Sequence, residues 1–285
     1  MKFYDAHNHL QDERFGGRQA ELLADCARVG VTAMVVNGAC EQDWPQVLAL
    51  AKTWTGELRT TEDSTGTASR IACPAILPSF GYHPWYVHER TQDWLRNLTS
   101  LLDQVPSTIG EIGLDRWKTD LSYDGQEEVF VAQLQLAAER NLPASIHCLQ
   151  AWGRLFELLK AGPRPARGFL LHSYGGPKEM VKPFADLGAY FSLPGYYAHA
   201  RKERQRETFK HVPPERLLIE TDAPDQQLPP TNNLFPITEP STGQPLNHPA
   251  NLGGVYQFAA ELFGESLEAL AERVEENFLR LFGGI

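Results

Sequence analysis

The residues that could do chemistry begin at the fifth position, in Asp5-Ala6-His7-Asn8-His9. On an extended strand, residues two apart point to the same face, roughly 7 Å apart along the chain. His7 and His9 can therefore reach one space, with Asp5 behind them. Neutral imidazole is a common ligand for divalent cations, and a carboxylate behind a ligating ring can fix its orientation. A polar turn could also carry His-x-His, so the other titratable segments decide. These are Gly81-Tyr82-His83-Pro84, Gly110-Glu111-Ile112-Gly113-Leu114-Asp115, Ile146-His147, His172-Ser173-Tyr174-Gly175-Gly176 and Glu220-Thr221-Asp222-Ala223-Pro224.

The elements that must position them follow one pattern: short apolar runs alternate with amphipathic helical stretches, as parallel β/α units do. Strands are expected at 3–6, 32–36, 75–80, 108–112, 143–147, 168–172, 189–192 and 216–222. Helices are expected at 19–29, 43–52, 92–102, 126–140, 151–160, from Pro177, and at 200–211, 252–263 and 267–282. Eight alternations in 285 residues fit a single (β/α)8 TIM-barrel domain over 1–285. Residues 53–70, rich in Thr, Ser and Gly, read as a long loop or β-hairpin excursion.

Active sites of such barrels sit at the C-terminal ends of the strands. Five of the nine histidines fall there, His7, His9, His83, His147 and His172, together with Glu111 and Asp222. Unpaired buried polar groups are costly, so their recurrence at one level calls for a common partner, and a metal centre supplies it. In two-metal sites a carboxylate is the natural bridge, because it has two oxygens. Glu111 is the expected bridge. His7, His9 and Asp222 would complete one ion's ligands, and His147 and His172 the other's. Four imidazoles favour zinc, manganese, iron or nickel over magnesium.

The bulk composition excludes several classes. With 42% hydrophobic and 22% charged residues, the chain should bury an ordinary globular core. No run has the length of a membrane span and no secretion leader is read at the N-terminus, so a cytoplasmic protein without membrane partners is expected. Cys26, Cys40, Cys73 and Cys148 form no Cys-x-x-Cys pair, which argues against a thiolate zinc site. Cys148 adjoins His147, but neighbours on a strand face opposite ways, which argues against a Cys–His dyad. The net charge of −10 is not the broad basic footprint of an electrostatic nucleic-acid binder. A polyanionic substrate would need its counter-charge from ions and a local basic cluster, such as Arg201-Lys202-Glu203-Arg204-Gln205-Arg206.

Taken in order, the six motif segments resemble the TatD family of metal-dependent deoxyribonucleases, within the amidohydrolase-type barrels, and they span the whole chain. The resemblance implies hydrolysis of phosphodiesters with two divalent ions (magnesium, manganese or zinc) and a DNA substrate taken as single strand or end, in the manner of a 3′-5′ exonuclease. It matches His7, His9, Glu111, His147, His172 and Asp222 to the family's ligands. Leu149 stands where the family commonly has Arg, and Asn247-His248-Pro249 stands for its Asn-Glu-Pro. Glu111 and Asp222 are the expected catalytic carboxylates, Asp222 accepting the proton of the attacking water. His83, Arg116 and Arg201 are candidate substrate contacts, and Asp115 another or a solvated loop residue. Asp5 and Glu220 are expected to support the ligands from behind. Trp85, Tyr86, Tyr196 and Tyr197 could stack on bases. The 223–251 segment, rich in Pro and Asn, is expected on the site face. No obligate protein partner is evident. The competing readings are a small-molecule amidohydrolase, lactonase or phosphoesterase on the same barrel, and a metal-binding scaffold without turnover.

Overall fold

The computed structural model describes residues 1–56, 58–62 and 68–285, the segments 58–62 and 68–72 as backbone. Eight parallel strands are laid down in chain order: β1 (Phe3–Asn8), β2 (Val31–Asn37), β3 (Ala75–Phe80), β4 (Thr108–Asp115), β5 (Ala144–Leu149), β6 (Phe169–Leu171), β7 (Ala189–Pro194) and β8 (Leu217–Glu220). Around them run α1 (Gln19–Arg28), α2 (Trp44–Thr53), α3 (Trp94–Leu102), α4 (Tyr123–Arg140), α5 (Trp152–Ala161), α6 (Val181–Asp186), α7 (Glu203–Phe209), α8 (Leu252–Phe263) and α9 (Leu267–Phe282). The architecture is a (β/α)8 barrel. Between α2 and β3, residues 58–62 pair antiparallel with 68–72, so the 53–70 excursion contains a β-hairpin. Its 63–67 part lies outside the described residues.

Apolar burial holds the two layers together. Leu22, Leu23 and Cys26 turn α1 onto the barrel, and Leu270, Val274, Phe278 and Leu281 do the same for α9. Each such side chain contributes about 1.5–3 kcal/mol on full burial. Ser122 and Ser266 start α4 and α9 by accepting the amides of Gly125 and Ala269.

The barrel closes between β8 and β1 without a strand ladder. The Tyr256 phenol, on α8, accepts from the Tyr4 amide and donates to the Tyr4 carbonyl, both at 3.0 Å. The Asp5 carboxylate accepts from the Thr221 amide and hydroxyl. Asn247 holds the Thr221 carbonyl from the far side. Two backbone bonds then finish the join, from the Asp222 amide to the His7 carbonyl at 3.0 Å and from the His9 amide to the Ala223 carbonyl at 2.8 Å. Side chains thus satisfy backbone groups that an eighth strand pairing would otherwise have taken.

Several expected boundaries move. β4 runs on to Asp115 instead of ending at Ile112. The helix expected from Pro177 begins as a 3-10 turn at Lys178–Met180 and becomes α6 only at Val181. The expected helix 200–211 breaks into a 3-10 turn, Ala200–Lys202, and the short α7. That break separates Arg201 and Lys202 from the rest of the basic cluster. No described helix is long and apolar enough to cross a membrane.

Candidate metal centre

Six side chains from five other strand ends meet around Glu111, and its two oxygens face different partners. Oε2 lies 3.4 Å from His7 Nε2 and 3.2 Å from His9 Nε2. Asp222 Oδ1 joins that side, 3.6 Å and 3.7 Å from the same two nitrogens. Oε1 lies 2.9 Å from His172 Nε2, 3.1 Å from His147 Nδ1 and 3.4 Å from His83 Nε2.

The chain brings Glu111 to this position through two close approaches. A Cβ at Gly113, whose φ is 149°, would lie 2.0 Å from the His147 carbonyl oxygen. A Cβ at Gly110 would lie 2.8 Å from Ser145 and Ser79 atoms. Only glycine lets β4 pass this near β5. Asp222 lies two residues beyond β8 with φ at 52°, a left-handed conformation that Asp adopts more readily than most residues.

Hydrogen bonds on the outward nitrogens set which ring atoms carry lone pairs. His9 Nδ1 donates to the Asn37 carbonyl at 2.8 Å, leaving Nε2 as the lone-pair atom of the neutral ring. His147 Nε2 donates to Asp115 Oδ2 at 3.0 Å, which leaves Nδ1 as its lone pair. His7 Nδ1 is 2.8 Å from Ser145 Oγ, so its Nε2 is likewise free to face Glu111. Imidazole lone pairs and carboxylate oxygens aimed at one another repel unless a cation lies between them, so this donor set fits divalent metal. His83 differs. Its Nδ1 accepts the Trp85 amide at 3.2 Å, so Nε2 carries the proton and His83 presents a donor. Proximity alone groups His83 with Glu111 and His147 as possible ligands; the tautomer favours a contact to an anionic oxygen.

The electrostatics are those of a buried, mutually dependent set. Burial raises the Glu111 pKa, but the imidazoles of His83, His172 and His7 outweigh it and hold the carboxyl well below the usual range. Burial, seconded by His172, lowers His7 to about 4. Burial also lowers His9, yet its bond to Glu111 and the charges of Glu111 and Asp222 carry it up to about 9, so where no ion lies between them a proton on Nε2 takes its place. Desolvation lifts Asp222 to about 7, against the pull of His172 and His9.

The supporting residues are only partly those expected. Glu220 is fully buried and accepts from the hydroxyls of Ser173 and Ser192, 3.8 Å from His172 Nδ1. Asp5 touches no ligand ring; its carboxylate accepts the His7 amide at 3.3 Å and the Asn8 amide group, besides Thr221. Asp115, expected as a substrate contact or a solvated residue, is buried at 1% exposure. It holds His147 and Trp85 Nε1 on one oxygen and the Trp117 and Lys118 amides on the other. Its strand continues past Gly113, so Asp115 shares the inward face of Glu111 by the two-residue period. Gln226, unmarked by any motif, donates to Asp222 Oδ2 at 2.6 Å.

Two expected substrate residues stay outside the cluster. The exposed Arg116 guanidinium stacks on Tyr123, 3.8 Å from the ring centre, and Arg201 donates to the Tyr196 hydroxyl at 2.6 Å. Tyr197 is buried, its hydroxyl on the Ser173 carbonyl, and cannot offer a stacking face. Cys148 is buried as well, and burial pushes its thiol up, away from reactivity.

Comparison with known proteins follows the same geometry. The model of TatD-related DNases matches residues 4–283. YjjV of Escherichia coli strain K12, an uncharacterised metal-dependent hydrolase, is 27% identical over 284 residues, covering 99% of this chain and 98% of its own. The 3′-5′ ssDNA/RNA exonuclease TatD of Pantoea ananatis is 29% identical over 285 residues, covering 98% and 99%. The crystal structure of Escherichia coli YjjV matches with a TM-score of 0.81 at 26% identity, over 99% of this chain and 98% of that one. A match from the first strand to the last helix, over a barrel whose mouth gathers imidazoles and carboxylates at one level, means that this chain belongs to the TatD-related DNase family.

Proposed function

We propose that residues 1–285 act as one catalytic unit that removes nucleotides from an end of single-stranded nucleic acid by hydrolysing phosphodiester bonds. The observation that carries the reading is the division of Glu111, with Oε2 toward His7, His9 and Asp222 and Oε1 toward His147 and His172. Two divalent ions would be held by these two sets, with Glu111 shared. Bound there, they would lower the pKa of a water and offset charge growing on the phosphoryl oxygens.

The chain's own groups supply the rest. Gln226 holds Oδ2 of Asp222, so Oδ1 is left facing the cluster to take the attacking water's proton. As the new P–O bond forms and the bond to the leaving ribose oxygen breaks, that proton passes to the leaving oxygen. His83 Nε2–H, 3.4 Å from Glu111 Oε1, would donate to a non-bridging phosphoryl oxygen. The relatives named as ssDNA/RNA exonucleases support the substrate class.

The test is hydrolysis of a single-stranded oligonucleotide by metal-stripped protein with Mg, Mn or Zn added back. Cleavage is expected only with added ion, and His147→Ala should lose at least about a hundredfold in rate. Protein that binds ion but leaves every oligonucleotide intact would turn the reading to small esters, lactones or amides.

A further inference from the structure

A cavity of about 680 Å³ opens directly off the centre, bordered there by His9, His83 and Glu111. Its size lies within the usual range for small-molecule pockets, about 300–1,000 Å³. The loops after β1, β2 and β3 line it, and Asp225 after β8 completes the wall. Trp85 and Tyr86 supply aromatic surface, with the Trp85 indole pinned through Nε1 to Asp115 at 2.6 Å. Gln11, Gln42 and Gln46 supply neutral amides.

Its charge is unlike that of a phosphate site. Besides Glu111, four carboxylates line it: Asp12, Glu13, Asp43 and Asp225. Among the described residues, Arg14 is the single Lys or Arg in the lining, and it is already paired. Nε and Nη2 bind Asp12 at 2.8–3.1 Å, while Nη1 and Nη2 form a fork with Asp225 at 3.0 and 2.8 Å. Arg116, Arg201 and Lys202, on the loops after β4 and β7, do not border this cavity; Lys118 is not in its lining either, but its Nζ lies 3.8 Å from the centre of the Trp85 ring and takes one face of the indole.

Resting on the nuclease reading above, we infer that this cavity receives the terminal nucleoside of the strand and rejects a terminal phosphate. The scissile phosphate lies at Glu111, His9 and His83, and the base enters against the Trp85 and Tyr86 wall, where aromatic stacking is tolerant of sequence. A further phosphate on the terminal sugar would meet carboxylates, with the one arginine of the described lining already paired. A strand continuing through the cavity would meet the same repulsion, so digestion starts at free hydroxyl ends.

The test compares two oligonucleotides identical except for a 3′-hydroxyl or a 3′-phosphate, each cleaved by the ion-loaded enzyme. The phosphate-ended strand should be cleaved at least about tenfold more slowly. In the Asp12→Asn, Asp225→Asn double variant, Arg14 is released to pair with the phosphate, and the ratio of the two rates should fall toward one. Gln46→Lys, at the exposed rim, should shift the ratio the same way without touching the Arg14 pairs. Because the ratio is taken within each protein, a general loss of activity cancels. Equal rates for the two ends in the wild type, or a ratio that neither variant moves, would overturn the inference. Failure to cleave either strand would overturn the nuclease reading instead.

Discussion

At Glu111 one carboxylate faces two sets of donors, and the residues that prepare those donors are ordinary ones: Ser145, the Asn37 carbonyl, Asp115. The clustering of these candidate ligands was legible in the sequence because imidazoles and carboxylates repeated at the ends of apolar runs. Their orienting partners were not, since a serine hydroxyl or a backbone carbonyl carries no mark of the ring it holds. Asp115 shows the difference. Its motif was visible, but with the strand expected to stop at Ile112 it fell into a loop; in the structure it binds His147 Nε2 at 3.0 Å, and the His147 bond holds its pKa down to about 2 against the effect of burial. Asp115→Asn should weaken binding of an ion on the His147 side by about 10–100-fold, measured by calorimetric titration of metal-free protein. Unchanged affinity would show that His147 needs no such partner.

The elements read most clearly where hydrophobic period and caps agree. α8 and α9 begin and end where the sequence placed them, bounded by Gly264, at φ 68°, and by Ser266. Two strands run past their expected ends, β4 to Asp115 instead of Ile112 and β7 to Pro194 instead of Ser192. Most hidden was the join between β8 and β1, because it is made by Tyr256, Asp5 and Asn247, which lie far apart in the chain. Tyr256→Phe would strip partners from the buried amide and carbonyl of Tyr4 while keeping the ring packed on Phe3 at 4.6 Å. We expect a loss of about 1–3 kcal/mol in urea denaturation. A loss below about 0.5 kcal/mol would mean that those groups find other partners.

Over the whole molecule, the chain is acidic, with a net charge of −10. A polyanionic substrate would therefore need its counter-charge from ions at the centre and from the cations on the β4 and β7 loops. Alternation of strand and helix made the barrel legible, and the barrel rule then predicted the level at which the chemistry would gather. What the sequence could not convey was the cavity beside it, whose walls come from four separate loops and whose one arginine is cancelled only in three dimensions. The central claim concerns the ion content of the entire chain. Metal-free protein titrated with Mn or Zn, and analysed by elemental mass spectrometry after desalting, should take up two ions per chain. His147→Ala should retain one and Glu111→Gln should retain less than one. Two ions retained by Glu111→Gln would contradict the shared carboxylate on which the account rests.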